Sequence, residues 1–143
     1  MQPEFAEEVI DRLSSFGIKT VIETNGTIIN ESLIKKADYL IIDVKNQTAN
    51  EFSGYEKILS TLKTFHKTAV LTCVIVPTLN DTINKVSILS RLKEKFPTVV
   101  REIKLLPFRK LCEEKYKKLD IEFPFSNYLE CDKQTIENLK KYL

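Results

Sequence analysis

Between Pro3 and Phe16 the apolar residues Phe5, Ala6, Val9, Ile10, Leu13 and Phe16 return at helical spacing. This predicts an amphipathic helix, with Pro3 suited to its first turn and Gly17 to its exit. Residues 18–23, "IKTVIE", form a short β-rich run closed by the turn-former "TNG" at 24–26. The alternation then repeats. Residues 30–37, "NESLIKKA", read as a short helix with Asn30 as its cap, and 39–44, "YLIIDV", as a strand buried on both faces. A longer helix from about Tyr55 to Lys67 precedes the apolar run "AVLTCVIV" at 69–76, which Pro77 stops. Another helical period covers 82–96, and "REIKLLP" at 101–107 gives a fourth strand. Beyond Pro107 the chain is polar and irregular with one short helix, until a terminal helix over 133–143 that Asp132 is placed to cap.

Strand and helix in regular alternation predict βαβ units and a parallel sheet. The pattern itself fits an open sheet and a barrel segment equally well. The 143 residues, 43% of them hydrophobic, suit one domain over residues 1–143 with its own core.

Charge changes this picture little. The 22 Lys+Arg against 20 Asp+Glu leave a net +2, which gives no electrostatic reason to expect nucleic acid or an anionic membrane as a partner. No stretch approaches the roughly 18 apolar residues of a membrane span, and the acidic, amphipathic N-terminus is unlike a secretory signal. Cys73, Cys112 and Cys131 are far apart and lack metal-ligand spacing, so unpaired thiols in a reducing compartment, the cytoplasm, are expected.

In parallel α/β folds ligands bind at the carboxyl ends of the strands, where the connecting loops converge. The strand ends here carry Glu23, Thr24 and Asn25; Asp43 and Lys45; Thr78, Asn80 and Asp81; and Arg109. Each has a plain structural reading: Asn25–Gly26 as a turn pair, Asn80–Asp81 as a turn and cap, Asp43–Lys45 as a local ion pair of small value. Taken together, two carboxylates, a lysine and an arginine on one rim suit a zwitterionic, hydroxyl-bearing ligand. With Gly17, Gly26 and Gly54 as its only glycines, the chain can build neither a GxGxxG turn nor a Walker loop. His66, the single histidine, falls at the far end of a helix, and no nucleophile and base pair by spacing, so no catalytic residue is assigned.

The ordered series "QPEF", "ETNGT", "DVK", "FSG", "VIVPTLND", "IKLLPFRKL" and "EKYKKL" resembles the later part of the radical S-adenosylmethionine activating enzymes of glycyl-radical enzymes, over nearly the whole chain. The resemblance implies a partial TIM-like barrel: four parallel strands of an incomplete (β/α)6 fold. That family's iron–sulfur motif, CxxxCxxC, and its GGEP motif are not in this sequence, and the matching segment starts just after GGEP. The expectation is therefore a truncated C-terminal part of such an enzyme, inactive alone, whose 4Fe–4S cluster belongs to the full-length protein. There the cluster would reduce S-adenosylmethionine, and the resulting radical would take a hydrogen from a glycine of a partner such as pyruvate formate-lyase.

Carried over by motif, Glu23, Asn25, Asp43, Lys45 and Arg109 are the implied S-adenosylmethionine contacts. Glu23, Thr24 and Asp43, with the Ile41 carbonyl, match a monovalent-cation site. Five positions depart from the family pattern: Glu23 for aspartate, Thr72 for a cofactor-binding arginine, Thr78 for the glycine of a "PG" turn, Arg109 for a histidine and Cys112 for a glycine. Thr72 and Thr78 favour an alternative, a non-catalytic binding or interaction module on the same half-barrel. A third reading, an unrelated phosphate-binding half-barrel, would need affinity for phosphosugars. The unclosed sheet also predicts a homodimer, or another covering segment, at its first-strand edge.

Overall fold

The computed structural model describes residues 2–45 and 49–143, giving only the backbone for 49–51. The first helix, α1 (Pro3–Ser15), ends as a Schellman motif. Gly17, at φ 73°, donates to Ser14 O (2.9 Å) and Ile18 N donates to Leu13 O (3.1 Å). Strand β1 (Val21–Thr24) leads to α2 (Glu31–Lys36), capped as expected by Asn30, whose Oδ1 accepts from Leu33 N at 3.0 Å. Then come β2 (Tyr39–Asp43), α3 (Ala49–Thr64), β3 (Ala69–Ile75) and α4 (Ile83–Lys95), the last with Thr82 as its cap. Strand β4 (Val100–Pro107), α5 (Glu113–Lys118) and α6 (Lys133–Lys140) complete the order, and Asp132 Oδ1 caps α6 through Thr135 N at 2.6 Å. Helix α3 starts more than a turn before Tyr55, because Gly54 and the polar residues around it dilute a helical pattern that is nonetheless present. It ends before Lys67, because His66 adopts φ 53° and turns the chain toward β3.

The four strands are all parallel and lie side by side in the order β1-β2-β3-β4. A doubly wound open sheet reverses its strand order at a switch point; unreversed order is the winding of a barrel. The molecule is thus a partial α/β barrel. Every crossover helix packs on one face, where Leu40, Ile42, Leu71, Cys73 and Ile75 meet Ile58, Leu59, Leu62, Leu89 and Leu92, all buried. The opposite face has no covering layer of helices among the described residues. The expectation of a doubly buried β2 is corrected accordingly: its burial alternates, with Leu40 and Ile42 inside, Ile41 half-buried and Tyr39 36% exposed.

On the β4 side α6 packs against the strand and α4 through Ile136 and Leu139. The irregular segment before it is more ordered than its polar composition suggests. Phe108, Phe125, Tyr128, Phe123 and Tyr116 form a chain of tilted ring contacts, with centroids 5.2–6.1 Å apart, that fastens this segment to the end of β4. Backbone bonds reinforce it: Cys131 N donates to Phe108 O at 3.1 Å, and Lys110 N to Glu130 Oε1 at 2.8 Å.

Candidate functional site: the uncovered face at the strand ends

Strand register decides which side chains share the uncovered face. Glu23 is level with Ile41, Val70 and Glu102; the next row toward the carboxyl ends is Asp43, Thr72 and Lys104. Glu23 and Asp43 therefore lie on the same face of neighbouring strands, one row apart. Thr24 lies on the other face, lining a small cavity with Leu33, Ile34 and Ile58, and its Oγ1 accepts from Gly26 N at 3.1 Å.

Asp43 is the most unusual residue of this face. Its Oδ2 pairs with Lys45 Nζ at 3.3 Å, while its Oδ1 is buried and has no hydrogen-bond partner among the described residues. Among the described residues only Thr20 Oγ1 shares that condition. A buried acceptor left unpaired costs on the order of 1–3 kcal/mol, and such groups call for a ligand or a functional role. The position is rigidly set: Tyr55, buried on α3, accepts from Lys45 N at 3.1 Å through its hydroxyl. Its ring lies 3.5 Å from where a Cβ on Gly26 would stand. Gly26 has φ 75°, so the turn after β1 and the end of β2 are both seated on one tyrosine. Tyr55 is a positioning residue that sequence pattern shows only as the approximate start of a helix, because its hydroxyl contact is made to a strand end ten residues earlier.

Asn25 Oδ1 accepts from Thr27 N (3.1 Å) and Thr27 Oγ1 (2.8 Å), closing an Asx turn at the rim. Arg109 stands just beyond β4, but its Nη1 donates to the Cys131 carbonyl and lies 3.7 Å from Glu130 Oε2, so its guanidinium is turned toward the C-terminal segment. The face therefore brings Glu23, Asp43 and Lys45 together and leaves Arg109 apart. Thr72 is buried, its Oγ1 making only a long contact, 3.5 Å, to Ile42 O. Thr78 takes the left-handed conformation, φ 66°, a region that favours glycine. Asn80 and Asp81 do structural work: Asn80 accepts from Val76 N at 2.7 Å and donates to Val74 O at 2.8 Å, and Asp81 accepts from Thr78 N at 3.0 Å. His66 lies just beyond the C-terminal end of α3, away from the carboxyl ends of the strands.

The buried Asp43 oxygen fits a ligand presenting a hydroxyl or ammonium donor. The described residues do not fit an iron–sulfur cluster. Cys73 and Cys131 are buried, Cys112 is exposed, and no group of three or more His, Cys, Asp or Glu side chains comes together among them. Burial pushes the Cys73 thiol up to about 11 and raises that of Cys131, which makes both poor thiolate donors. No helix among the described residues is long and apolar enough to cross a membrane.

No family model matches the chain. It is 26% identical over 153 aligned positions to the pyruvate formate-lyase-activating enzyme of Clostridium pasteurianum, covering 100% of this chain and 64% of that protein. It is also 26% identical to the 4-hydroxyphenylacetate decarboxylase activating enzyme of Clostridioides difficile (strain CD196), covering 98% of this chain and 48% of the relative. The chain thus spans between about half and two thirds of the length of these relatives. A crystal structure of a domain of pyruvate-formate lyase-activating enzyme from Bacteroides vulgatus ATCC 8482 superposes with a TM-score of 0.70. That match has 13% identity and covers 99% of this chain and 85% of that one, so it speaks for the fold alone. The resemblance to activating enzymes read from the motifs, and the partial-barrel fold it implied, are borne out.

Proposed function

We propose that this chain is the C-terminal, cofactor-facing part of an enzyme that activates a glycyl-radical enzyme, and that S-adenosylmethionine sits on the uncovered face of its sheet. The observation that carries the reading is Asp43, whose buried, unpartnered Oδ1 needs a donor at the carboxyl end of β2. Two relatives that are activating enzymes, matched along nearly the whole chain, supply the class of reaction. Residues 1–143 act as one folding unit, in the cytoplasm, and the partner is a pyruvate formate-lyase-like enzyme.

The chain's residues bind and orient. Asp43 Oδ1 accepts from a ribose hydroxyl or the amino group of the ligand, while the Lys45 ion pair fixes the carboxylate in place. Glu23 offers a second acceptor one row back, and the Asn25 turn sets the height of the rim. Arg109 acts through the segment it holds, fixing residues 130–131 beside the strand ends. With its cluster, S-adenosylmethionine supplies hydrogen-abstracting chemistry; the described residues of this chain do not fit that cluster, so the chain alone is inactive in this reading.

Calorimetric titration of S-adenosylmethionine tests the proposal. Saturable binding to the wild-type chain, weakened about tenfold or more by Asp43→Ala, is the expected result. Heat-silent titrations of both proteins would reduce the likeness to ancestry.

A further inference from the structure

Asp43, Thr72 and Lys104 occupy one register row across β2, β3 and β4 on the uncovered face. The row runs from an anion, over a short hydroxyl side chain, to a cation. Neighbouring strands lie about 4.8 Å apart, so its outer Cα atoms are separated by roughly 10 Å. Between them Thr72 is buried and uncharged, which leaves the middle of the row low.

Both ends of the row have spare capacity. Asp43 Oδ1 has no partner among the described residues. Lys104 Nζ is paired only loosely, 3.4 Å from Glu102 Oε2, with both side chains about half exposed. An ion pair of that kind contributes little and is easily exchanged for a better one. Lys45, the nearest alternative cation, already neutralises Asp43.

A row with an acceptor at one end and a replaceable cation at the other matches a ligand with a donor and a carboxylate held apart. We propose that Lys104 holds the carboxylate of the ligand's amino-acid end, and so makes this face selective for an aminoacyl sulfonium over a plain nucleoside. The inference rests on the S-adenosylmethionine reading above. Glu102 is then a competitor, drawing Lys104 away when no ligand is bound.

The test is calorimetry on the full 143-residue chain with two probes, S-adenosylmethionine and its decarboxylated analogue. Lys104→Ala should weaken S-adenosylmethionine about tenfold and leave the decarboxylated probe unchanged, the loss expected for one charge-assisted contact. Lys104→Arg should keep most of the affinity, and Glu102→Gln should raise it. Both side chains are half exposed, so none of these variants threatens the core. Equal affinity of wild type and Lys104→Ala for S-adenosylmethionine overturns this assignment and leaves the proposed function standing. Equal losses with both probes overturn it as well, because the lysine would then act as a general field. No binding to the wild-type chain overturns both.

Discussion

Thr78 holds a β-branched side chain at φ 66°, a conformation that costs about 1–2 kcal/mol for anything but glycine. The residue is exposed, so Thr78→Gly should raise stability by about 1 kcal/mol, seen as a higher urea midpoint at unchanged slope. A lower midpoint would show that the threonine is not strained. Asn80 behaves oppositely. Its side chain bonds Val76 N and Val74 O while 6% exposed, so Asn80→Ala should cost about 2 kcal/mol or more in the same assay. Cys73 gives a pH prediction. Its native pKa, about 11, lies above the 9.0 of the free thiol. Between those values the unfolded chain loses this proton while the folded chain keeps it, so stability falls as pH rises. The stabilisation is whole below about 9 and declines by roughly 1.4 kcal/mol per unit up to about 11. Cys73→Ala should flatten that stretch of a denaturation series; an unchanged slope there contradicts the assignment. Asn80 and Asp81 were legible as turn residues, since their chemistry is local. The spare oxygen of Asp43 and the clamp by Tyr55 were not, because burial and partners depend on residues distant in sequence.

The same division runs through the secondary-structure elements. All four strands and the main helices stood out as periodic runs, and two caps fell on the residues expected, Asn30 and Asp132, while α4 is capped by Thr82 rather than by the Asn80–Asp81 pair. What periodicity could not show was how many faces of the sheet are covered. An apolar run such as Leu40–Ile41–Ile42 reads as doubly buried, yet helices cover only one side. Nor did a polar composition after Pro107 disclose the aromatic contacts from Phe108 to Tyr128, which depend on rings spaced irregularly along the chain. Strand β1 carries a further prediction. It has no neighbour on its outer edge among the described residues, and Phe16, Ile18 and Val21 are exposed nearby at 72%, 50% and 40%. Unpaired edges with apolar flanks associate. Sedimentation equilibrium should therefore find self-association that Val21→Lys weakens; a strictly monomeric wild type would count against it.

For the molecule as a whole, four strands wound without reversal put their carboxyl ends along one rim and leave one broad face uncovered among the described residues. On the proposed reading, it is that face, more than any single motif, that holds part of the ligand. Of the residues the resemblance implied, Glu23, Asp43 and Lys45 stand near one another at the strand ends, while the Arg109 guanidinium meets the Cys131 carbonyl and Glu130 of the C-terminal segment. Sequence order can assign a residue to the rim, but the direction of a long side chain follows from the carbonyls and carboxylates it meets.

The most direct measurement is a backbone amide NMR map of the chain titrated with S-adenosylmethionine. The account predicts saturable shifts concentrated at Glu23, Asp43, Lys45, Thr72 and Lys104, with Ile136 and Leu139 of α6 unmoved. Shifts that leave Asp43 and its row untouched, or that gather on the helix-covered face, would contradict it.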